Sequence, residues 1–189
     1  MLRIMESVFF RVALFSVMLL VATAGLGLWL GDLHGQLDPH VLRWGTVHRL
    51  SGVLSALVVV LVNSMSVTYF IGTGRWCREV VETYALDASY VERSQQLKRS
   101  TFPFAILGIF GVVFIVALGG AADPATGRPG TQDWVTPHLI GSLLIVAGIA
   151  WCFQSQLPNI RRQHVLIEDI MSDVRTARLG RGLEIENSA

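Results

Sequence analysis

Charge is what this sequence has least of. Only 15% of its 189 residues are Asp, Glu, Lys or Arg, against about a quarter in an average soluble domain. No Asp or Glu falls inside any of four long apolar runs. Intramembrane acids usually mark ion pathways, so a transporter or pump is disfavoured. Cysteine is nearly missing as well. Cys77 and Cys152 follow neither metal-ligand nor redox spacing and read as free packing thiols. There is no nucleotide loop, no hydrolytic nucleophile motif and no zinc-protease motif, which leaves a hydrolase without support. A net charge of +1, with the cations beside apolar runs rather than on one face, excludes a nucleic-acid partner.

What is present is length and hydrophobicity. The apolar runs cover about 12–30, 48–71, 102–121 and 134–153, each near the roughly 20 residues a bilayer-spanning helix needs. The first is too long for a signal peptide and continues as Gly25-Leu-Gly-Leu-Trp-Leu30, so it reads as a retained anchor. The polar segment from Arg75 to Ser100 reads as one or two short surface helices, the second capped by Asp87. Thr101 and Pro103 then signal the start of the third span, and Pro158 the end of the fourth.

Residues 1–157 thus form an all-α integral membrane unit, a four-transmembrane-helix bundle. Residues 158–189 add an amphipathic helix over 160–174 and a loose tail from Gly180. The amphipathic helix, with Ile160, Leu166, Ile167, Ile170, Met171 and Val174 at helical spacing, suits the membrane surface or a protein partner. Twelve Lys and Arg flank one side of the spans against Arg43, Arg49 and Arg128 on the other. By that count both termini are cytoplasmic, and a bacterial inner membrane is the expected location.

The chain also says one thing twice. Trp44-Gly-Thr-Val-His48-Arg49-Leu-Ser-Gly52-Val-Leu54 returns ninety residues later as Trp134-Val-Thr-Pro-His138-Leu-Ile-Gly141-Ser-Leu-Leu144. Each copy opens the second span of a hairpin, so the bundle is built from two parallel-repeat hairpins. His48 and His138 then lie at one depth. Small residues surround them: Gly45, Ser51 and Gly52 near His48, Gly141 and Ser142 near His138, and Ala22, Ala24, Gly25, Gly27, Ala117, Gly119, Gly120 and Ala121 on the partner spans. Such a slot suits a flat macrocycle. Two imidazoles from facing helices suit the axial positions of a haem b, with Arg49, and in second place Arg43, beside its propionates. At the other end Phe9, Phe10, Phe15, Phe102, Phe104, Trp151 and Phe153 would fill space.

Other readings compete. Small residues also serve close helix packing. Thr46 and Thr136 could be N-caps, with Pro137 at the first helical position, leaving each His at a helix start and the repeat purely structural. The protein would then be a non-catalytic membrane subunit or scaffold. Two helix N-termini at one face could also bind an anion or a headgroup. An outer-face metal site could draw on His34, His40, Asp32, Asp38, Asp123 and Asp133. Asn63 and Gln154 read as an interhelical amide pair more readily than as a quinone site.

The pair His48-Arg49 at a span start, Gly52 four residues after the His, and His138 on another helix resemble the four-helix membrane b-type cytochromes. That resemblance implies electron transfer between quinones and other redox partners, with His48 and His138 binding haem iron and Gly52 and Gly141 beside it. Two-haem members carry a second His pair near the other face. Here the residues about 22–24 Å deeper, at about 1.5 Å per residue, are Asn63 and Gln154. The resemblance therefore implies a single haem.

Overall fold

In the computed structural model, described over residues 3–181, the chain forms α1 (Arg3–Leu30), α2 (Pro39–Tyr84), α3 (Ser89–Ala122) and α4 (Val135–Gly180). Two short 3-10 turns, Pro124–Thr126 and Thr131–Trp134, fill the connection between α3 and α4. All four long helices are long and apolar enough to cross a membrane. The expected tail from Gly180 falls almost wholly on 182–189, outside the described residues.

The helices stand in a ring. Each packs on the next, and α4 closes back on α1, so α2 and α4 face each other across the diagonal. The core between them holds Phe9, Leu20, Val59, Val62, Phe70, Val112, Ile149 and Phe153. Phe9 and Phe153 meet edge to face at 6.2 Å, which supplies the aromatic filling expected away from the histidines. Phe10, Phe15 and Trp151 do not join it; they point outward, all at least half exposed.

Helix length departs most from the sequence reading. α2 and α4 have 46 residues each, about 69 Å at 1.5 Å per residue, more than twice a ~30 Å hydrocarbon core. The segment from Arg75 to Ser100 is not surface helices but the continuation of α2, a tight turn, and the start of α3. The N-cap of α3 is Ala88 rather than Asp87; Asp87 stands one residue earlier, its Oδ1 accepting the Ser89 N–H at 2.8 Å. The turn closes on Ala85, in the left-handed region at φ 52.

Neither Pro103 nor Pro158 bounds a helix; both sit inside one. A proline in a helix interior costs about 3 kcal/mol, and here tertiary packing offsets it. The amphipathic stripe after Pro158 lays Leu166, Ile167, Ile170 and Val174 against Cys77 of α2. Trp76, Val80, Tyr84, Leu86 and Tyr90 pack around that cluster. The segment 160–174 is thus the third member of a three-helix extension, not a separate helix on a membrane surface. Its apolar face is covered by its own chain. Cys77 and Cys152 are both buried and free.

Candidate cofactor site

The repeat's two copies meet at the opposite end of the bundle. His48 projects from α2 and His138 from the diagonal helix α4. Their ring centroids are 6.4 Å apart and their planes cross at 71°. Each ring lies against a glycine on the first helix of its own hairpin. A Cβ at Gly27 would stand 2.8 Å from His48 Cε1, and one at Gly119 would stand 3.2 Å from His138 Cε1. Both half-buried rings occupy space that no other residue would leave.

Helix starts differ from the N-cap reading. α2 begins at Pro39, capped by Asp38, whose side chain accepts the His40 N–H at 2.8 Å. Pro39 supplies a preset φ at the first helical position, so the helix starts before the repeat. Thr46 is already helical and donates to the Leu42 carbonyl at 3.2 Å. Thr136 and Pro137 lie in the first turn of α4, after a 3-10 turn ending at Trp134. Two matching N-termini are therefore not presented at this face, and the anion reading loses its basis.

A cavity of about 330 Å³ opens between the helices here, within the roughly 300–1,000 Å³ usual for small-molecule sites. His48, Arg49, Gly52 and His138 line it, with Ala24, Gly119, Gly120 and Ser142 among their small neighbours. Gly141 does not line it. Its α-carbon faces α3, where a Cβ would stand 2.8 Å from Leu118 Cδ1; it serves close packing of α4 on α3. Gly52 faces open space.

The two rings are held unequally. His48 Nδ1 lies 3.1 Å from the Thr23 carbonyl oxygen. A carbonyl can only accept, so Nδ1 carries a proton, and in the neutral ring Nε2 keeps its lone pair. His138 Nδ1 has only Ser142 Oγ, at 3.5 Å. Below the His48 ring the hydroxyls of Thr23 and Ser55 join at 3.2 Å. Sequence reasoning missed Thr23 and Ser55. Ser55 lies two helical turns past His48 on the same face, a spacing that could have revealed it; the Thr23 carbonyl left no sequence signal.

The mouth of the cavity is polar. Arg49 donates to Asp123 at 3.2 Å and to Thr46 Oγ1 at 2.9 Å, so its guanidinium already holds a carboxylate. Asp123 also accepts the Ala125 N–H at 3.0 Å. Across the loops, His34 bridges Asp32 and Thr131, with Nε2 2.7 Å from the Thr131 hydroxyl oxygen. The His34 backbone N–H and then its ring hold the Asp32 carboxyl below its ordinary range. The histidines and carboxylates of these loops do not gather into a metal site: His40 packs on Trp44, Asp38 caps α2, and no metal-holding group of three such residues occurs among the described residues.

Deeper in the bundle, Asn63 is fully buried, but its partner is Gln156, whose amide donates to Asn63 Oδ1 at 3.1 Å. Gln154 is exposed. Both glutamines sit at nearly the same depth, but two residues turn a helix by about 200° at 3.6 residues per turn. Depth alone chose the wrong amide.

Compared with family models, curated proteins and solved structures, the chain matches none of them.

Proposed function

We propose that the protein is an integral membrane b-type cytochrome, or the haem-bearing subunit of a redox complex, with one haem b between His48 and His138. The observation that carries this reading is the 6.4 Å separation of the two rings across the cavity. A metal–imidazole nitrogen bond is about 2.0–2.1 Å, and the nitrogen lies about 1 Å from the ring centre. Two imidazoles on opposite sides of one metal therefore have centroids about 6 Å apart. The residues present fit the group in three further ways. His48 keeps Nε2 free because Thr23 takes its Nδ1–H, the outer hydrogen bond typical of metal-binding histidines. Gly119, Gly120, Gly52 and Ala24 keep the surrounding walls low. The donor set is purely imidazole, which haem iron accepts.

Bound there, a haem supplies one-electron transfer. The chain's own part is to hold and insulate. His48 and His138 bind from diagonal helices, and the Thr23 carbonyl orients the His48 ring. Gly27 and Gly119 admit the two rings. Arg49 stands at the mouth with five fixed donors, enough to share between Asp123 and a propionate. The cation count supports an extended end in the cytoplasm and the histidines near the opposite face, where a quinone or a protein would exchange electrons.

The test is optical. Protein purified after expression with ample haem should show a Soret band equivalent to one haem per chain. His48→Ala and His138→Ala should each remove the band or shift it to that of a singly ligated iron. A colourless wild type, or a band unchanged in both variants, overturns the reading.

A further inference from the structure

The extended end carries a second pair of cavities that the paired histidines do not use. A cleft of about 380 Å³ lies between α2 and α3, lined by Arg75, Arg78, Glu79, Gln95 and Lys98. Gly74 and Ser94 line its floor and approach each other closely; a Cβ on Gly74 would stand in ordinary contact, 3.7 Å from Ser94 Oγ. Three cations share this cleft with one carboxylate, and that carboxylate, Glu79, is already bound by Arg75 at 2.8 Å. The cleft therefore keeps a surplus of positive charge.

Directly adjoining it, a groove on α3 is lined by Phe102, Pro103, Ile106, Leu107 and Phe110, with Arg99 at its head. Lys98 belongs to both cavities, and its Nζ stands 6.0 Å over the Phe102 ring. The groove is apolar and open to the surroundings of the bundle; Phe110 is 66% exposed. From Lys98 to Phe110 the helix rises about 18 Å at 1.5 Å per residue, close to the ~15 Å of one leaflet in a ~30 Å hydrocarbon core. A basic cleft thus opens into an apolar trough one leaflet deep.

We infer that this composite site binds an anionic phospholipid, with its phosphate between Arg75, Arg78 and Lys98 and an acyl chain along Ile106, Leu107 and Phe110. Charge complementarity selects the headgroup. Depth selects a lipid over a soluble anion, which would leave the apolar trough empty. Basic pockets between transmembrane helices bind acidic headgroups in this way. The site does not depend on the haem reading.

Native mass spectrometry of the full chain released from vesicles of equimolar phosphatidylcholine and phosphatidylglycerol tests it. The wild type should retain one phosphatidylglycerol in clear preference to phosphatidylcholine. Arg78→Gln should reduce that preference about fivefold, matching the worth of one basic residue near an anionic membrane, and the variant R75Q/R78Q/K98Q should abolish it. R162Q/R175Q, which removes two exposed cations elsewhere on the extended end, should keep it. Circular dichroism confirms that each variant is folded. Equal retention by the triple variant overturns the inference. So does equal loss in R162Q/R175Q, which would mean general surface charge, and so does displacement of the lipid by free glycerol phosphate, which would mean a soluble anion.

Discussion

Gly27 and His48 are in such close contact that a Cβ on the first would stand 2.8 Å from Cε1 of the second. Gly119 stands in the same relation to His138, but at 3.2 Å. The difference sets an order of sensitivity. Gly27→Ala must push the His48 ring from its place and strain the bond to the Thr23 carbonyl; overpacking of this kind costs about 1–3 kcal/mol. Gly119→Ala needs a shift of only a few tenths of an ångström. Haem affinity, read from titration of the Soret absorbance, should fall about fivefold or more in the first variant, as a cost of about 1–3 kcal/mol implies, and less in the second. Equal affinity in Gly27→Ala and wild type would show that the ring's position does not govern binding.

The buried amide pair gives a prediction independent of any cofactor. Gln156 donates to Asn63 at 3.1 Å while Gln154 faces out. Interhelical polar contacts in membrane proteins average about 0.6 kcal/mol, and a buried group left without its partner costs about 1–3 kcal/mol. Gln156→Leu should therefore destabilise the bundle by about 1 kcal/mol in detergent unfolding, and Gln154→Leu by close to nothing. A double-mutant cycle with Asn63→Leu should return a coupling energy for Gln156 and none for Gln154. Coupling to Gln154 instead would contradict the observed pairing.

The three-helix extension distinguishes a packed helix from one resting on a membrane. Ile170 is 0% exposed and Met171 is 37% exposed, although both belong to one amphipathic stripe. Ile170→Ala should cost about 2–4 kcal/mol by loss of buried methylenes and the cavity left behind, while Met171→Ala should cost well under 1 kcal/mol, as surface changes do. Thermal unfolding of the two variants checks it. Similar small shifts in both would return the segment to the surface.

The histidines, the small residues around them and the four apolar helices were legible because hydrophobic runs and a repeated motif write themselves along the chain. Gly27 and Gly119 stood among the small residues for the same reason. What the sequence hid were features set by helix phase and by tertiary packing. Gln156 rather than Gln154 meets Asn63 because rotation, not depth, decides which side chain faces inward. Pro103 read as a helix start because proline suits a first turn, and Pro158 as a helix end because a proline weakens a helix locally; both lie inside helices, and beyond Pro158 the helix continues because Leu166, Ile167 and Ile170 find a core on α2. Gly141 matches Ser51 in the repeat and Ser142 matches Gly52, so the two glycines stand three and four residues past their histidines and face different neighbours. A repeat preserves composition better than it preserves contacts.

Acid should loosen the loops at the histidine end before it loosens the bundle. Asp32 holds the His34 N–H at 2.9 Å, and through His34 it ties the first loop to Thr131 of the second. Those bonds from His34, backbone first and ring second, lower the Asp32 carboxyl below its ordinary range. The sign follows from that direction. A carboxyl depressed in the folded state contributes stability that is fully present above its unfolded value, about 3.9, and is lost as pH falls through the folded value. The group is largely exposed, so the contribution is small. Hydrogen exchange of the amides around His34 and Thr131 is the local readout. In the wild type their protection should hold at pH 5–7 and drop on going below about pH 3.9. In Asp32→Asn, protection should already be lower at pH 7 and should change less on acidification. Identical pH profiles in the two proteins would show that Asp32 does not set the tie.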